Sequence, residues 1–409
     1  MQALKSMQVE DLQMAGRRVL IRVDFNVPLT QPDASGARAV TDDTRIRAAL
    51  PTINAVLAAG GSAVLMSHLG RPKKLASGAN DPDFSLRHLV ARLEELLGQP
   101  VKFAPNCVGD EALDVTQNLQ PGEVALLENL RYHPEEQKGD EFFAGLLAES
   151  GDCYVGDAFG TAHRAHASTA TIAKFFPDDR AMGLLMAREV EALGKLLKNP
   201  ERPVAAIIGG AKVSSKLAVL KNLLSRVDQI FIGGGMAYTF IAARGGSIGD
   251  SLAEPDMYGE ALNLLEQATA GGVEIVLPTD ALCADAFAPD ARVLECPIDQ
   301  IPEGWMGLDL GPVSCENFAA KAREARTILW NGPMGVFEFE NFSAGTLAMA
   351  DALVHATKQG GFTLVGGGDS VAAINAASLA DQVSYVSTGG GAMLEYLEGR
   401  TLPGIAALS

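Results

Sequence analysis

The sequence predicts an α/β protein made of two lobes of similar size, each on a mostly parallel sheet. Three observations carry this. Short β-branched apolar runs alternate with amphipathic stretches of about 12–18 residues almost throughout, the pattern of strands joined by crossover helices. In the second half, apolar runs pass through glycines into helix-like stretches: Gly209-Gly210 after Val204–Ile208, Gly233-Gly234-Gly235 after Gln229–Ile232, Gly366-Gly367-Gly368 after Phe362–Val365, and Gly389-Gly390-Gly391 after residues 385–388. In the first half, the corresponding strand ends carry arginine, histidine, aspartate and asparagine instead.

Taken in order, residues 19–23 form the first strand, closed by Arg22-Val23-Asp24-Phe25-Asn26. The periodicity of 41–59 predicts a helix stopped by Gly60-Gly61. Strand 63–66 runs into Ser67-His68-Leu69-Gly70-Arg71, and 85–97 reads as one helix ended by Gly98. Strand 123–127 leads to Glu128-Asn129-Leu130-Arg131, and strand 153–155 to the segment from Asp157 through His163 and Arg164 to His166. A long helix over 182–198 stops at Asn199-Pro200, and the connection between lobes is placed on it. The strand–glycine–helix series begins beyond Pro203, and a further helix over 343–358 is closed by Gly360-Gly361. The expected lobes are 1–185 and 186–394, with the tail 395–409 returning to the first.

A chain of 409 residues exceeds one ordinary core, and an apolar fraction of 47% with 20% charged residues is that of a soluble enzyme. Glu10 and Asp11 interrupt the first twenty residues, so no secretory leader is expected. No apolar run approaches the ~20 residues of a membrane span. The five cysteines are scattered without a C-x-x-C and read as reduced, small core residues in a cytoplasmic protein. A net charge of −17 argues against nucleic acid and makes the clustered cations at strand ends more telling. No surplus apolar helix calls for a second subunit, so a monomer is expected.

In open α/β sheets, ligands bind outside the carboxyl ends of the strands, where all these motifs lie. Glycine permits close approach to the main chain, and each following helix start offers free N–H groups and a positive dipole end, a bed for phosphate. The arginines and histidines of the first half imply a second anionic ligand. Lys212 and Lys216 are four apart at an expected helix start, hence neighbours whose mutual repulsion a polyphosphate would offset. Singly, each motif has a bland reading: Asp24-Phe25-Asn26 as a turn, His68 and Arg71 as a solvated loop, Arg131 and Arg164 as surface ion pairs. Trp330, Met182 and Met186 read as core, His355 as structural, and the acidic run 135–141 as a solvated face. There is no G-x-x-x-x-G-K-[ST] string, and no G-x-G-x-x-G after the first strand. Gly368-Asp369-Ser370-Val371-Ala372 approximates a hydrolase elbow, but no histidine follows Ser370.

Together the segments are far more specific. Residues 22–28 (RVDFNVP), 67–72 (SHLGRP), 128–131 (ENLR), 157–166 (DAFGTAHRAH), 209–216 (GGAKVSSK), 233–237 (GGGMA), 330–338 (WNGPMGVFE), 366–370 (GGGDS) and 387–392 (STGGGA) resemble, in order and over the whole chain, the phosphoglycerate kinase family. The resemblance implies two Rossmann-like lobes joined by a hinge helix, with 3-phosphoglycerate on the first and Mg²⁺-ATP or ADP on the second. The implied reaction is reversible phosphoryl transfer between ATP and 3-phosphoglycerate, giving 1,3-bisphosphoglycerate, with hinge closure. Carried over residue by residue, Asp24, Phe25, Asn26, Arg45, His68, Leu69, Gly70, Arg71, Arg131 and Arg164 would hold the acid, with Arg22 and His163 in the same basic patch. Lys216, Asn331, Glu338, Gly367, Gly368, Asp369 and Ser370 would hold the nucleotide. Arg45, Lys212, Gly368 and Gly391 would act on the group in flight, and Asp369 would meet Mg²⁺. One departure is Ser370, where the family usually has threonine; the hydroxyl remains.

Overall fold

The computed structural model describes residues 7–34, 36–75 and 78–409. It contains two compact units, one running to Val190 and closed by Thr401–Ser409, the other Glu191–Arg400.

In the first unit, β1 (Arg18–Arg22), β2 (Ser62–Met66), β3 (Val101–Ala104), β4 (Val124–Leu127), β5 (Cys153–Gly156) and β6 (Arg180–Met182) form one sheet in the order β3-β4-β2-β1-β5-β6. Every neighbouring pair is parallel. β2, β4 and β5 are buried along their whole length, as expected of parallel strands covered on both faces. Because all six strands run one way, the motifs that follow β1, β2, β4 and β5 emerge at a single edge.

Local polar groups set the helix boundaries. The first helix spans Thr44–Ala58 rather than starting at residue 41. The Asp42 carboxylate accepts from Thr44 N at 2.9 Å and from its hydroxyl at 2.6 Å, a turn that delays the helix. The stretch expected as one helix over 85–97 divides into a 3₁₀ segment, Leu86–Leu89, and an α-helix, Val90–Leu97. Glu128 takes the Ser85 hydroxyl at 2.6 Å and Leu86 N–H at 2.8 Å, holding that first turn against the end of β4.

The helix Leu184–Leu197 crosses the boundary at Val190. Its start is tied into the first unit: Thr52 Oγ1 accepts from Leu184 N at 2.9 Å, and Asp157 Oδ1 from Leu185 N at 3.0 Å and Met186 N at 3.2 Å. Met182 and Met186 are buried, as core filler should be. The C-terminal segment also completes this unit. Gly404 N donates to Ala162 O at 2.8 Å, and Leu408 is buried against the end of β5, where a Cβ added to Gly156 would lie 2.7 Å from it.

In the second unit, β7 (Val204–Ile208), β8 (Gln229–Ile232), β10 (Glu274–Val276), β15 (Thr327–Asn331), β16 (Phe362–Val365) and β17 (Tyr385–Val386) form a parallel sheet in the order β10-β8-β7-β15-β16-β17. Beside it stand the pair β9 (Ser247–Ile248) and β13 (Gln300–Ile301), and an antiparallel sheet in the order β12-β11-β14, from β11 (Asp280–Ala284), β12 (Val293–Pro297) and β14 (Met306–Leu310). Trp330 is fully buried, its indole N–H donating to Gly332 O at 2.9 Å. No helix among the described residues is long and apolar enough to cross a membrane.

Candidate active site

The carboxyl edge of the first sheet gathers loops that brace one another. Asn26 Oδ1 accepts from Gly70 N at 2.7 Å, joining the loop after β1 to the loop after β2. Asn129 joins the loop after β4: its Oδ1 accepts from Leu69 N at 3.2 Å and Arg131 N at 3.0 Å, while its amide donates to Leu69 O and Phe84 O at 2.8 Å. Gly70 has φ 59, and a Cβ there would sit 2.3 Å from the Phe84 ring, so the loop requires glycine for both reasons. Gly70 O accepts from Arg131. Arg45, on the helix Thr44–Ala58, reaches back to Asn26 O at 3.0 Å and to Asp24 at 3.3 Å. Phe25 and Leu69, expected among the acid-binding residues, are buried in the core, so they face a ligand only through their main chain. Arg71 and Arg164 are exposed, and His163 is half-buried.

Electrostatics show how crowded this edge is. Burial, then the charges of Arg22, Arg164 and Arg71, hold the Arg131 guanidinium below its ordinary range, with Asp24 opposing. His68 is held well below the ordinary imidazole value by burial and then by Arg22, Arg131 and Arg45. His166 is pushed down to about 4 by burial and then by Arg22, Arg131 and Arg164. Both imidazoles are therefore neutral at pH 7, so the positive charge around them comes from the arginines. His68 Nδ1, 3.2 Å from Arg22 Nη2, accepts from that guanidinium, which leaves the proton on Nε2 as a donor.

Arg22 is buried and anchored from behind. Its Nε donates to Ser168 Oγ at 2.8 Å, and Ser168 donates in turn to Glu136 through its hydroxyl at 2.6 Å and its N–H at 2.9 Å. Glu136 is only 1% exposed, against the reading of 135–141 as a solvated face. The reason is pairing: a buried carboxylate is tolerated where hydrogen bonds and a nearby guanidinium compensate it. No signal in the sequence links residues 22, 136 and 168.

In the second unit, the glycine turns after β7 and β8 press together. A Cβ on Gly234, at φ 67, would lie 2.7 Å from Gly210 N and O, so only bare backbone fits. These turns floor a cavity of about 540 Å³ whose walls include Leu252, Phe287, Met306, Leu308 and Val336, with Asp250, Glu338 and Asp369 as its acidic members. Apolar walls with a few polar groups suit a small-molecule ligand of nucleotide size. The helices Gly235–Ala243, Gly368–Ala376 and Gly391–Leu397 begin directly at the glycine triplets. The Gly209-Gly210 turn differs, because the next helix, Leu217–Leu223, starts seven residues later. Lys216 sits at its N-cap and Lys212 in the exposed loop before it, so the two lysines do not share a helical face as expected.

Lys216 donates to Asn331 Oδ1, and Asn331, fully buried, donates to Gly366 O at 2.8 Å. Burial lowers the Lys216 ammonium below its ordinary value, with Asp369 opposing that effect. Ser370 is buried, and its hydroxyl accepts from Gly332 N at 2.5 Å, so its first task is to brace the turn after β15. Gly368 and Asp369 are exposed in the first turn of their helix. Sequence reasoning did not find Asp250, Leu252, Phe287 or Glu254. Glu254 accepts from Ser214 N at 3.0 Å and from its hydroxyl at 2.5 Å, fixing the loop that carries Lys212.

Comparison with known proteins agrees with this geometry. The family model for phosphoglycerate kinase matches residues 9–400. The chain is 52% identical over 406 residues to the phosphoglycerate kinase of Chloroherpeton thalassium, covering 99% of this chain and 100% of the relative. It is 51% identical over 413 residues to that of a Synechococcus species, covering 100% and 99%. Among solved structures, phosphoglycerate kinase from Coxiella burnetii superposes with a TM-score of 0.87 at 40% identity, and that from Pyrococcus horikoshii with 0.82 at 30%, each covering 98% of both chains. Two parallel α/β sheets, one edged with arginine and the other with glycine, and this likeness over nearly the full length lead to one assignment: the chain belongs to the phosphoglycerate kinase family.

Proposed function

We infer that the two sites serve one reaction, reversible transfer of the γ-phosphoryl group of ATP to the carboxylate of 3-phosphoglycerate. Family membership makes the chain a kinase of glycolysis. The observation that supports the substrate assignment is the contrast between the arginine-crowded edge of the first unit and the glycine-floored cavity of the second. We assign the acid to Arg71, Arg131 and Arg164, with Asp24, Asn26 and the Nε2–H of His68 orienting its hydroxyl and carboxylate, and Arg22 setting the field behind them. We assign the nucleotide to the cavity, with Lys216 on its phosphates, Glu338 on its ribose, and the N–H groups of Gly367, Gly368 and Gly391 facing transferred charge.

The acceptor carboxylate is ionised at pH 7, so no general base is required. The protein's task is positioning and charge neutralisation, which Lys212 and Arg45 are placed in this reading to supply. Asp369 is an exposed carboxylate beside the cavity, and no group of three or more His, Cys, Asp or Glu among the described residues could enclose a metal. That donor set fits Mg²⁺, which takes few protein carboxylates and fills its shell with phosphate oxygens and water. When bound, Mg²⁺ would neutralise nucleotide charge. We place the protein in the cytoplasm as a monomer.

Direct transfer needs the reacting atoms within ~3–3.5 Å and water excluded. We therefore take the helix Leu184–Leu197 as the hinge of a closing motion that is greatest with both substrates bound. Small-angle scattering should show the radius of gyration falling in the ternary complex; an unchanged radius at saturation refutes the hinge. The activity itself is tested by a coupled assay with 3-phosphoglycerate and MgATP. Absence of turnover, or of isotope exchange between the two substrates, would sink the assignment.

A further inference from the structure

We propose that Cys283 and Cys296 form a two-thiol modification site, which a hydroperoxide converts to a disulfide that small thiols reverse. The two residues lie on neighbouring strands of the antiparallel sheet. Cys283 on β11 is opposite Leu294, and Cys296 on β12 is opposite Ala281, which makes the cysteines diagonal neighbours on one face. Their sulfurs are 3.5 Å apart. A disulfide bond is about 2.05 Å long, so roughly 1.5 Å of approach is needed, and because diagonal cross-strand neighbours stand about 7–8 Å apart the edge strand β12 has to shift toward β11 to close it. Among the described residues no other two cysteine thiols are in contact. The thiol of Cys315 is directed instead to Leu310 O at 3.8 Å, and all five cysteines are free.

The pair is asymmetric in access. β12 is an edge strand with alternating exposure, and Cys296 is partly exposed on it, whereas Cys283 is fully buried. Burial, then the neighbouring Cys296, pushes the Cys283 thiol well above its ordinary value, so Cys283 is not the first to react. The thiolate of Cys296 attacks the hydroperoxide; the O–O bond breaks, an S–O bond forms, and water or alcohol leaves. Cys283 sulfur then attacks the Cys296 sulfenic sulfur. The S–O bond breaks, the S–S bond forms, and the Cys283 proton departs with the hydroxyl as water. Two thiols have supplied two electrons and two protons to one hydroperoxide.

The location gives the modification a purpose. Cys283 packs in a small core with Tyr238, Ile241, Ile298 and Ile301. Tyr238 belongs to the helix Gly235–Ala243 and backs β14 so closely that a Cβ on Gly307 would lie 2.0 Å from its hydroxyl. Gly235 and Gly307 both line the nucleotide cavity. An over-oxidised, anionic sulfur beneath that wall would disrupt it, and the disulfide stops oxidation at a reversible stage.

The test uses the full chain treated with hydrogen peroxide, then alkylated, digested and mapped by mass spectrometry. The peptides bearing Cys283 and Cys296 should appear joined, lighter by two hydrogen atoms, and separate after dithiothreitol. Cys283→Ala should trap Cys296 as sulfinic acid that dithiothreitol does not reverse, with about tenfold less of that product in the unmodified chain. Cys296→Ser, at the more exposed position, should leave Cys283 as a free thiol under the same dose. The proposal is overturned if the unmodified chain accumulates Cys296 sulfinic acid while Cys283 remains alkylatable. It is overturned equally if Cys283 pairs with another cysteine, or if both thiols survive a dose that oxidises free cysteine.

Discussion

Asp309 lies near the end of β14, behind the glycine-floored cavity, and replacing it by asparagine should make the second unit more stable in mild alkali. The carboxyl is 2% exposed, and burial pushes it up to about 7, against N–H groups donated by Gly345, Leu310 and Ala344. Oδ2 accepts from Gly345 N at 2.9 Å, while Oδ1 has no hydrogen-bond partner and lies where a Cβ on Gly335 or Gly345 would collide with it. A folded value raised above the ordinary 3.8 means that the native state retains the proton longer than the unfolded chain does. The corresponding stability is fully present below 3.8 and is lost as pH rises through about 7. A shift of about three units corresponds to roughly 4 kcal/mol. Asparagine keeps an acceptor for Gly345 N and does not titrate. The Asp309→Asn chain should therefore match the parent near pH 4 and exceed it by up to about 4 kcal/mol at pH 8. Both tryptophans, Trp305 and Trp330, belong to the second unit, so their fluorescence during urea unfolding reports on that unit. A mutant less stable than the parent at pH 8 would show that Asp309 is a charged, stabilising cap for the helix Ala344–Lys358, and the reasoning would fall.

Two further substitutions probe the assigned roles. Lys212→Ala should lower kcat by roughly 10²–10³, because its charge is needed chiefly in the transition state; a mutant with normal kcat and only a raised KM for ATP would reduce Lys212 to a binding residue. Arg71→Ala should mainly raise the KM for 3-phosphoglycerate, and a rise in the nucleotide KM instead would reverse the assignment of substrates to units.

Much of this was legible in the sequence because parallel strands are buried on both faces and end in short loops. The apolar runs ending at Arg22, Met66, Leu127 and Ile208 announce themselves, and the residues after them must stand at the sheet edge. What escaped depends on partners distant in the chain. Glu136 looks solvated beside Glu135 until Ser168 and Arg22 close over it. The protonation of His68 and His166 likewise depends on burial and on arginines distant in the chain. Lys212 and Lys216 look helical because four-residue spacing does not say where a helix begins. Phe287 and Leu252 reach the cavity from irregular segments, where no periodicity marks them.

The return of Thr401–Ser409 to the first unit has a consequence for synthesis. While the chain emerges from the ribosome, most of the first unit is made early, but the segment that covers Gly156 and takes the carbonyl of Ala162 is made only after Glu191–Arg400. Between them comes the whole of Glu191–Arg400, on the order of 10–40 s of elongation. The earlier half must therefore wait, partly formed, until the later half has been translated, and a chain arrested at Arg400 should be more open to protease around Ala162 than the released one. If arrested and released chains resist digestion there equally, the terminal segment is dispensable for closing that unit. Otherwise only a chain read beyond Arg400 acquires a finished first unit, and folding of that unit is tied to synthesis of the other.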